Sequence, residues 1–509
     1  MDSLGRGRAR SLWENPAATW GVALGTPVLY GVLAGLWTPR GPHTTFEVLT
    51  AMGLALLVGL VAGWALRSRW AMLLAPALFM AVFELTRMGT SGPTVDGINL
   101  GSELGIAAFL AGRGIHGLLT LLPMVLGAAL GAGAARRTTE GPASPTGLRK
   151  VTLWLRRTVA IVTGLALVVL AVVVARPATT EPILTADGQP VAGSVAELTE
   201  VETGGHDLAL MIRGRSVDNP VLLFLAGGPG GSELGAMRRH SQALEDDFVV
   251  ATLDQRGTGK SYGELDPTST LTLDNAIADV LATVDYLRER FGQEKIYLVG
   301  QSWGTLLGGL VAQERPDLLH AFVGVGQMVS PAATDQAFYR ETLAWARETG
   351  NTALAETLRE NGPPPYTDTR DYQPVVSAEP EINPYDHTGN SEGAGQMGEN
   401  IFVEEYSFME QAHIFAGVFE VYSALYPRIQ EVDFREQVTS LDIPVYLAQG
   451  VHESPGRADL AAEWFEMLDA PSKELVVFDT SGHRPLWEQP DEFHDLMTEK
   501  VLAETGPAR

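Results

Sequence analysis

Gly300-Gln301-Ser302-Trp303-Gly304 places a serine between glycines two residues to either side. A serine nucleophile needs that spacing at a sharp strand-to-helix turn, where the hydroxyl is thrust outward and bulkier flanking side chains would collide with the turn. The same pattern recurs at Gly389-Asn390-Ser391-Glu392-Gly393, so the spacing alone does not decide. Context does. Ser302 follows the apolar run 296–299 and precedes a helix-forming stretch, whereas Ser391 lies in a Pro-, Gly- and acid-rich segment with no strand before it. Ser302 is the expected nucleophile.

A neutral hydroxyl attacks slowly, so a base must take its proton and an acid must orient that base. One recurrent chain order is serine, acid, histidine. His483, in Ser481-Gly482-His483 after the strand-like 475–478, stands where the base is expected. Glu453, in Gly450-Val451-His452-Glu453 after the strand-like 445–448, stands where the acid is expected, with Asp459 and Asp479 as alternatives. A tetrahedral intermediate also needs backbone N–H donors. The glycine-rich Gly227-Gly228-Pro229-Gly230-Gly231 follows the strand-like 221–226 and offers Gly227 and Gly228; Trp303, next to the serine, offers the other. Two other motifs fail on inspection. Gly257-Thr258-Gly259-Lys260-Ser261 ends like a phosphate-binding loop, but Asp254 stands where the first glycine is required, and His452-Glu453 lacks the second histidine of a zinc-protease helix.

These groups need rigid elements to hold them. Residues 208–213, 221–226, 248–253, 296–299, 322–325 and 445–448 read as short strands, mostly continuous apolar runs, as in a parallel sheet covered on both faces. Stretches 273–291 and 303–315 read as helices between them, which points to a doubly wound α/β fold. Over a hundred residues separate the strands near 326 and 443; 332–361 and 401–429 look helical and 362–400 loop-like, the pattern of a helical cap.

The N-terminal third is different. Five apolar stretches, 18–37, 46–66, 70–85, 104–132 and 159–175, approach the length needed to span a bilayer. Arg6, Arg8 and Arg10, then Arg67 and Arg69, then Arg136, Arg137, Arg149, Lys150, Arg156 and Arg157 fall in alternate loops, which with five spans puts residues 177–509 outside the cytoplasm. Glu47, Glu84, Arg113 and His116 lie near span ends and are expected to be structural. The expected organisation is a transmembrane region over 1–176, a linker over 177–200, core segments at 201–327 and 441–509, and a cap over 328–440.

Charged residues are only 19% of the chain and hydrophobic ones 45%, yet the net charge is −25. Residues 1–176 carry a net charge of +8 and residues 177–509 one of −33, which excludes a nucleic-acid binder working by counterion release. The absence of cysteine excludes disulfides, thiol nucleophiles and iron–sulfur clusters.

Four segments, Gly227-Gly228-Pro229-Gly230-Gly231, Asp254-Gln255-Arg256-Gly257 with Gly259 and Ser261, Gly300–Gly304, and Ser481-Gly482-His483, occur in the order of the proline iminopeptidase family of α/β-hydrolases, which this chain resembles over about residues 205–500. The resemblance implies a capped α/β-hydrolase needing no metal or cofactor; it does not reach the N-terminal third, which the apolar stretches alone mark as an all-α transmembrane bundle. The resemblance also implies release of N-terminal residues from short peptides through an acyl-enzyme. Ala226 departs from the usual histidine, and Glu453 from the usual aspartate. Family members bind the peptide's free amino group with cap carboxylates, for which Glu404, Glu405 and Glu420 are the candidates. Alternatives are an esterase or amidase for small acyl substrates, and a non-catalytic sensor or transport component with a hydrolase-like binding domain. The lipid bilayer is the expected surroundings of the N-terminal helices, which are also candidates for self-association or for a membrane partner.

Overall fold

The apolar runs of the C-terminal two thirds pair into one eight-stranded sheet, ordered β1-β2-β4-β3-β5-β6-β7-β8. The strands are β1 (Val195–Thr203), β2 (His206–Gly214), β3 (Val221–Leu225), β4 (Val249–Leu253), β5 (Ile296–Gln301), β6 (Leu319–Val325), β7 (Val445–Gly450) and β8 (Lys473–Phe478). The computed structural model describes residues 13–140, 147–392, 398 and 401–506; Arg6, Arg8, Arg10 and Gly393 lie outside the described residues. β1–β2 and β2–β4 pair antiparallel, and every pair from β4 through β3 to β8 is parallel. β3, β4 and β5 are buried at every position, which accounts for their unbroken apolar sequence.

The expected linker needs correction. β1 begins at Val195, inside 177–200, and pairs with β2 from Val195↔Gly214 to Thr203↔His206. Its sequence alternates apolar with Glu and Thr, the mark of an edge strand with one wet face. Upstream, Arg213 donates to the Thr180 hydroxyl and to the Glu181 carbonyl, so the start of this stretch is fixed to the sheet.

The cap region is also more broken than its sequence suggests. Helices Pro331–Glu348 and Thr352–Asn361 are divided at Gly350, which adopts φ 73°. The loop expected over 362–400 contains the helix Gln373–Ile382, and the next long helix starts only at Phe408 and ends at Leu425.

The chain divides into two compact units, Met1–Pro177 with Ser407–Ala412, and Ala178–Tyr406 with His413–Arg509. In the first, four helices among the described residues are long and apolar enough to cross a membrane: Pro16–Trp37, Thr45–Leu66, Glu103–Thr138 and Lys150–Ala175. The third expected segment, 70–85, forms Ala71–Thr86, 16 residues, or about 24 Å at 1.5 Å per residue, short of a hydrocarbon core of about 30 Å. The ionisable groups here have structural work. Glu47 completes a capping box with Thr44. Glu84 accepts from Arg113 Nε at 2.9 Å and Arg87 Nε at 3.1 Å.

Thr45–Leu66 and Leu122–Glu140 meet through glycines at four-residue spacing on both helices. A Cβ at Gly59 or Gly63 would come within 2.0 or 2.1 Å of the Met124 or Ala128 carbonyl oxygen, and one at Gly127 or Gly131 within 2.0 Å of the Leu56 or Leu60 oxygen. Small residues at that spacing let helices approach at backbone distance, where dispersion rather than the hydrophobic effect binds them in lipid. Gly63→Val should therefore destabilise the full chain by about 1–3 kcal/mol, read as a lower Tm in detergent. Gly53→Ala, where no atom lies within 4 Å, should leave it unchanged.

Candidate active site

Ser302 joins β5 to the helix Trp303–Glu314 with φ 53° and ψ −116°, left-handed for a residue that carries a Cβ. Such a conformation costs on the order of 1–3 kcal/mol and persists only where the surroundings impose it. They do so here. A Cβ at Gly300 would lie 2.3 Å from the Gly304 oxygen, and one at Gly304 2.1 Å from the Leu225 oxygen, so the turn closes only with both glycines. The Ser302 N–H donates to the Val325 carbonyl at the end of β6, at 2.9 Å.

Glu453 follows β7, and its carboxylate is buried. Oε1 accepts from Ser454 N at 2.9 Å and Arg457 Nε at 2.7 Å, while Oε2 faces His483 Nδ1 at hydrogen-bond distance. Burial by itself pushes this carboxyl up, but Arg457 and His483 together outweigh it and hold it well below the usual carboxylate range. With Nδ1 turned to Glu453, Nε2 is the nitrogen left to exchange a proton.

The loops carrying these two residues are laced together. Val451 N–H donates to the Phe478 carbonyl at 2.8 Å and His452 N–H to the Ser481 carbonyl at 3.0 Å. Gly450 is pressed against the Ser481 and Gly482 carbonyls, leaving no space for a side chain. The His483 ring lies over Gly326, where a Cβ would come 2.8 Å from Nδ1. Gly326 directly follows Val325, the acceptor of the Ser302 N–H. The structure thus gathers Ser302, Glu453 and His483 at the carboxyl ends of β5, β7 and β8, around the end of β6.

The glycine-rich loop corrects one expectation. The Gly227 N–H donates to Glu233 Oε2 at 2.8 Å, so it serves the loop's own fold and not an incoming oxyanion. A Cβ at Gly227 would lie 2.3 Å from Gln301 Oε1, so a side chain fits there only if that amide swings aside. Gly228 follows at φ 119°. Glu233 was not found from the sequence. Burial raises its carboxyl, against the influence of Arg484, the Gly227 N–H and His483. No motif spacing marks it; only the folded loop brings it back onto Gly227.

The Asp254–Ser261 segment is a brace. Gln255 Oε1 accepts from the Trp303 indole at 2.9 Å and Gln255 Nε2 donates to the Ala226 carbonyl at 3.0 Å, tying the glycine loop to the serine's helix. Arg256 grips Asp279 through two bonds of 2.7 and 2.9 Å, both side chains buried. Ser261 bridges the Asp254 carbonyl and the Ala209 N–H.

The three cap carboxylates separate. Glu404 is exposed. Glu405 is buried and already paired with Arg238 Nε at 2.9 Å and the Thr180 hydroxyl at 2.9 Å, so its charge is committed. Glu420 is buried on the helix whose Gly417 and Val418 pass over Gly230, where a Cβ would lie 3.0 Å from the Gly417 oxygen.

A family model described as alpha/beta hydrolase fold matches residues 220–490. The chain belongs to the alpha/beta hydrolase family. Among its relatives is a protein named "Probable aminopeptidase YbaC" from Bacillus subtilis (strain 168), 28% identical over 61% of this chain and 97% of that protein. A proline iminopeptidase from Xanthomonas citri is 29% identical over 27% of this chain and 41% of its own length. A solved proline iminopeptidase-related protein from Thermus thermophilus aligns with 62% of this chain and 100% of its own, at 22% identity and a TM-score of 0.43.

Glu453 stays ionised in the folded chain at pH values where a free carboxyl, near 4.3, takes up a proton. It therefore stabilises the fold above that pH, and the contribution is lost as pH falls toward its lower folded value. Arg457→Leu should cost about 1.5–3 kcal/mol at pH 7, with the gap to wild type narrowing below about pH 4. Tm measured across pH checks this; a gap constant with pH would assign the loss to packing alone.

Proposed function

We propose that this chain is a membrane-anchored serine hydrolase of aminopeptidase type, releasing N-terminal residues from short peptides. The observation that carries the reading is the common seat at the end of β6: a serine held in a strained left-handed turn by Val325, and an imidazole resting on Gly326 with its Nδ1 turned to a buried, ionised Glu453. A serine with no catalytic work has no need of that backbone strain.

In this reading Ser302 Oγ attacks the scissile carbonyl while His483 Nε2 takes its proton. Glu453 fixes the ring's tautomer and balances the imidazolium that forms. The Gly228 and Trp303 N–H groups receive the negative charge that develops on the carbonyl oxygen. Collapse of the intermediate expels the amine, which leaves with the proton from Nε2, and a water activated by the same nitrogen then releases the acyl group. The aminopeptidase preference is supported by the naming of the relatives; of the three cap carboxylates we assign the ammonium group to Glu420, whose helix passes over Gly230.

Four helices of spanning length support the membrane anchor. An extracytoplasmic catalytic half follows from the basic loops only if Ala71–Thr86 crosses as a fifth span with local thinning of the bilayer; four spans would place it on the cytoplasmic side. Since the chain has no cysteine, Ala186→Cys provides a single reporter. It should react with a membrane-impermeant maleimide on intact cells; reaction only after permeabilisation would reverse the orientation.

A fluorophosphonate probe should label the wild type and not Ser302→Ala, with labelling of the variant at the wild-type level overturning the mechanism. Turnover of aminoacyl-naphthylamides in preference to p-nitrophenyl butyrate is the expected profile. The opposite preference would make the chain an esterase, and no turnover of either would favour a binding domain.

A further inference from the structure

His483 is held by more than Glu453. The peptide groups on its two sides both donate to one carboxylate: Gly482 N–H to Glu488 Oε2 at 2.8 Å, and Arg484 N–H to Glu488 Oε1 at 3.2 Å. Glu488 is 1% exposed and ends the one-turn helix Pro485–Glu488 that follows the histidine. Residues 482–488 are thereby closed into a ring around this carboxylate.

A segment of the cap meets the same group. Glu488 Oε2 also accepts from the Tyr385 hydroxyl at 3.0 Å and from Asn390 Nδ2 at 2.7 Å, and the Glu488 carbonyl accepts the Ser391 N–H at 2.9 Å. The Tyr385 ring stacks on His452, beside Glu453, with centroids 4.8 Å apart. Arg484 Nη1 pairs with the buried Glu392 at 2.9 Å. Residues 389–392 of the second Gly-x-Ser-x-Gly pattern thus belong to a strap, 385–392, pinned across the histidine's loop.

We propose that Glu488 is a positioning residue for His483, and that the strap acts on the base through it. The proposal rests on His483 serving as the base of Ser302. An ionised carboxylate is acceptor only, and four donors converge on this one from both sides of the histidine and from the cap. Removing acceptor capacity frees the peptide to rotate, and the ring turns with it. A displacement near 1 Å at a reacting group costs on the order of 10²-fold in rate.

The test uses the full-length protein in detergent, with Glu488→Gln and the double variant Tyr385→Phe/Asn390→Ala. Glutamine keeps the shape but turns a donor toward donors. Two quantities are read: the pH profile of the rate at which a fluorophosphonate labels Ser302, and the proton resonance of His483 Nδ1–H, which reports the contact with Glu453 whether or not the protein turns over substrate. Glu488→Gln should slow labelling on the order of 10²-fold, shift its pH midpoint and move the resonance, while Tm shows the protein still folded. The double variant should move both readouts in the same direction by less; it also carries the test should Glu488→Gln not fold. Wild-type rate and resonance in Glu488→Gln would overturn the proposal, and a silent double variant would remove the strap from it. A wild type that resists labelling, with a resonance that still moves in Glu488→Gln, would discard the serine-hydrolase reading and leave the positioning role standing.

Discussion

The site depends on a buried carboxylate facing an imidazole, and that pairing depends on two loops lying at backbone distance. Residues 450–453 at the end of β7 and 478–484 at the end of β8 can form main-chain hydrogen bonds with each other only because Gly450 has no side chain to strike the Ser481 and Gly482 carbonyls. The parallel pairing of β7 with β8 sets both loops off from the same edge of the sheet. A charge so deeply buried is tolerable only when it is compensated, and Arg457 and Ser454 supply what the histidine does not. The imidazole's orientation is thus a consequence of sheet register, transmitted through a few residues of loop.

Much of this could be read in the sequence, for definite reasons. A strand buried on both faces writes a continuous apolar run, so β3, β4 and β5 were legible to within a residue or two. The apolar run before Ser302 and the helix-forming stretch after it separate it from Ser391, whose flanking glycines match equally well. β1 was not legible as a strand because its alternation of apolar and acidic residues follows a Pro- and Thr-rich run that reads as a tether. The breaks in the cap helices were hidden because each side of Gly350 is helix-forming. Glu233 and Glu488 carry no motif that marks them. Gln255 lies in a segment that carries the family resemblance without revealing its brace, and Arg457 follows Glu453 at i,i+4, a common helical spacing that does not single it out. The reading of Gly227 as a donor to the cleft failed because its partner is a carboxylate that loops back onto it.

The two units solve different physical problems with the same residue. In the catalytic half, glycine admits backbone to a turn or a loop where a methyl group would not fit. In the N-terminal unit, Gly59, Gly63, Gly127 and Gly131 let two apolar helices meet at backbone distance. The ionisable side chains there do not suggest a path for ions, because Glu84 is occupied by two arginines and Glu47 by a helix end.

Gln255 holds the Trp303 indole with one end of its amide and the Ala226 carbonyl with the other. A single planar group therefore keeps the spacing between the loop that would receive the negative oxygen and the turn that carries the serine. Shortening that side chain would let the cleft gape without altering any group that reacts. In a survey of inactivating substitutions, position 255 would pass for a member of the reaction machinery, although its contribution is that of a gauge block.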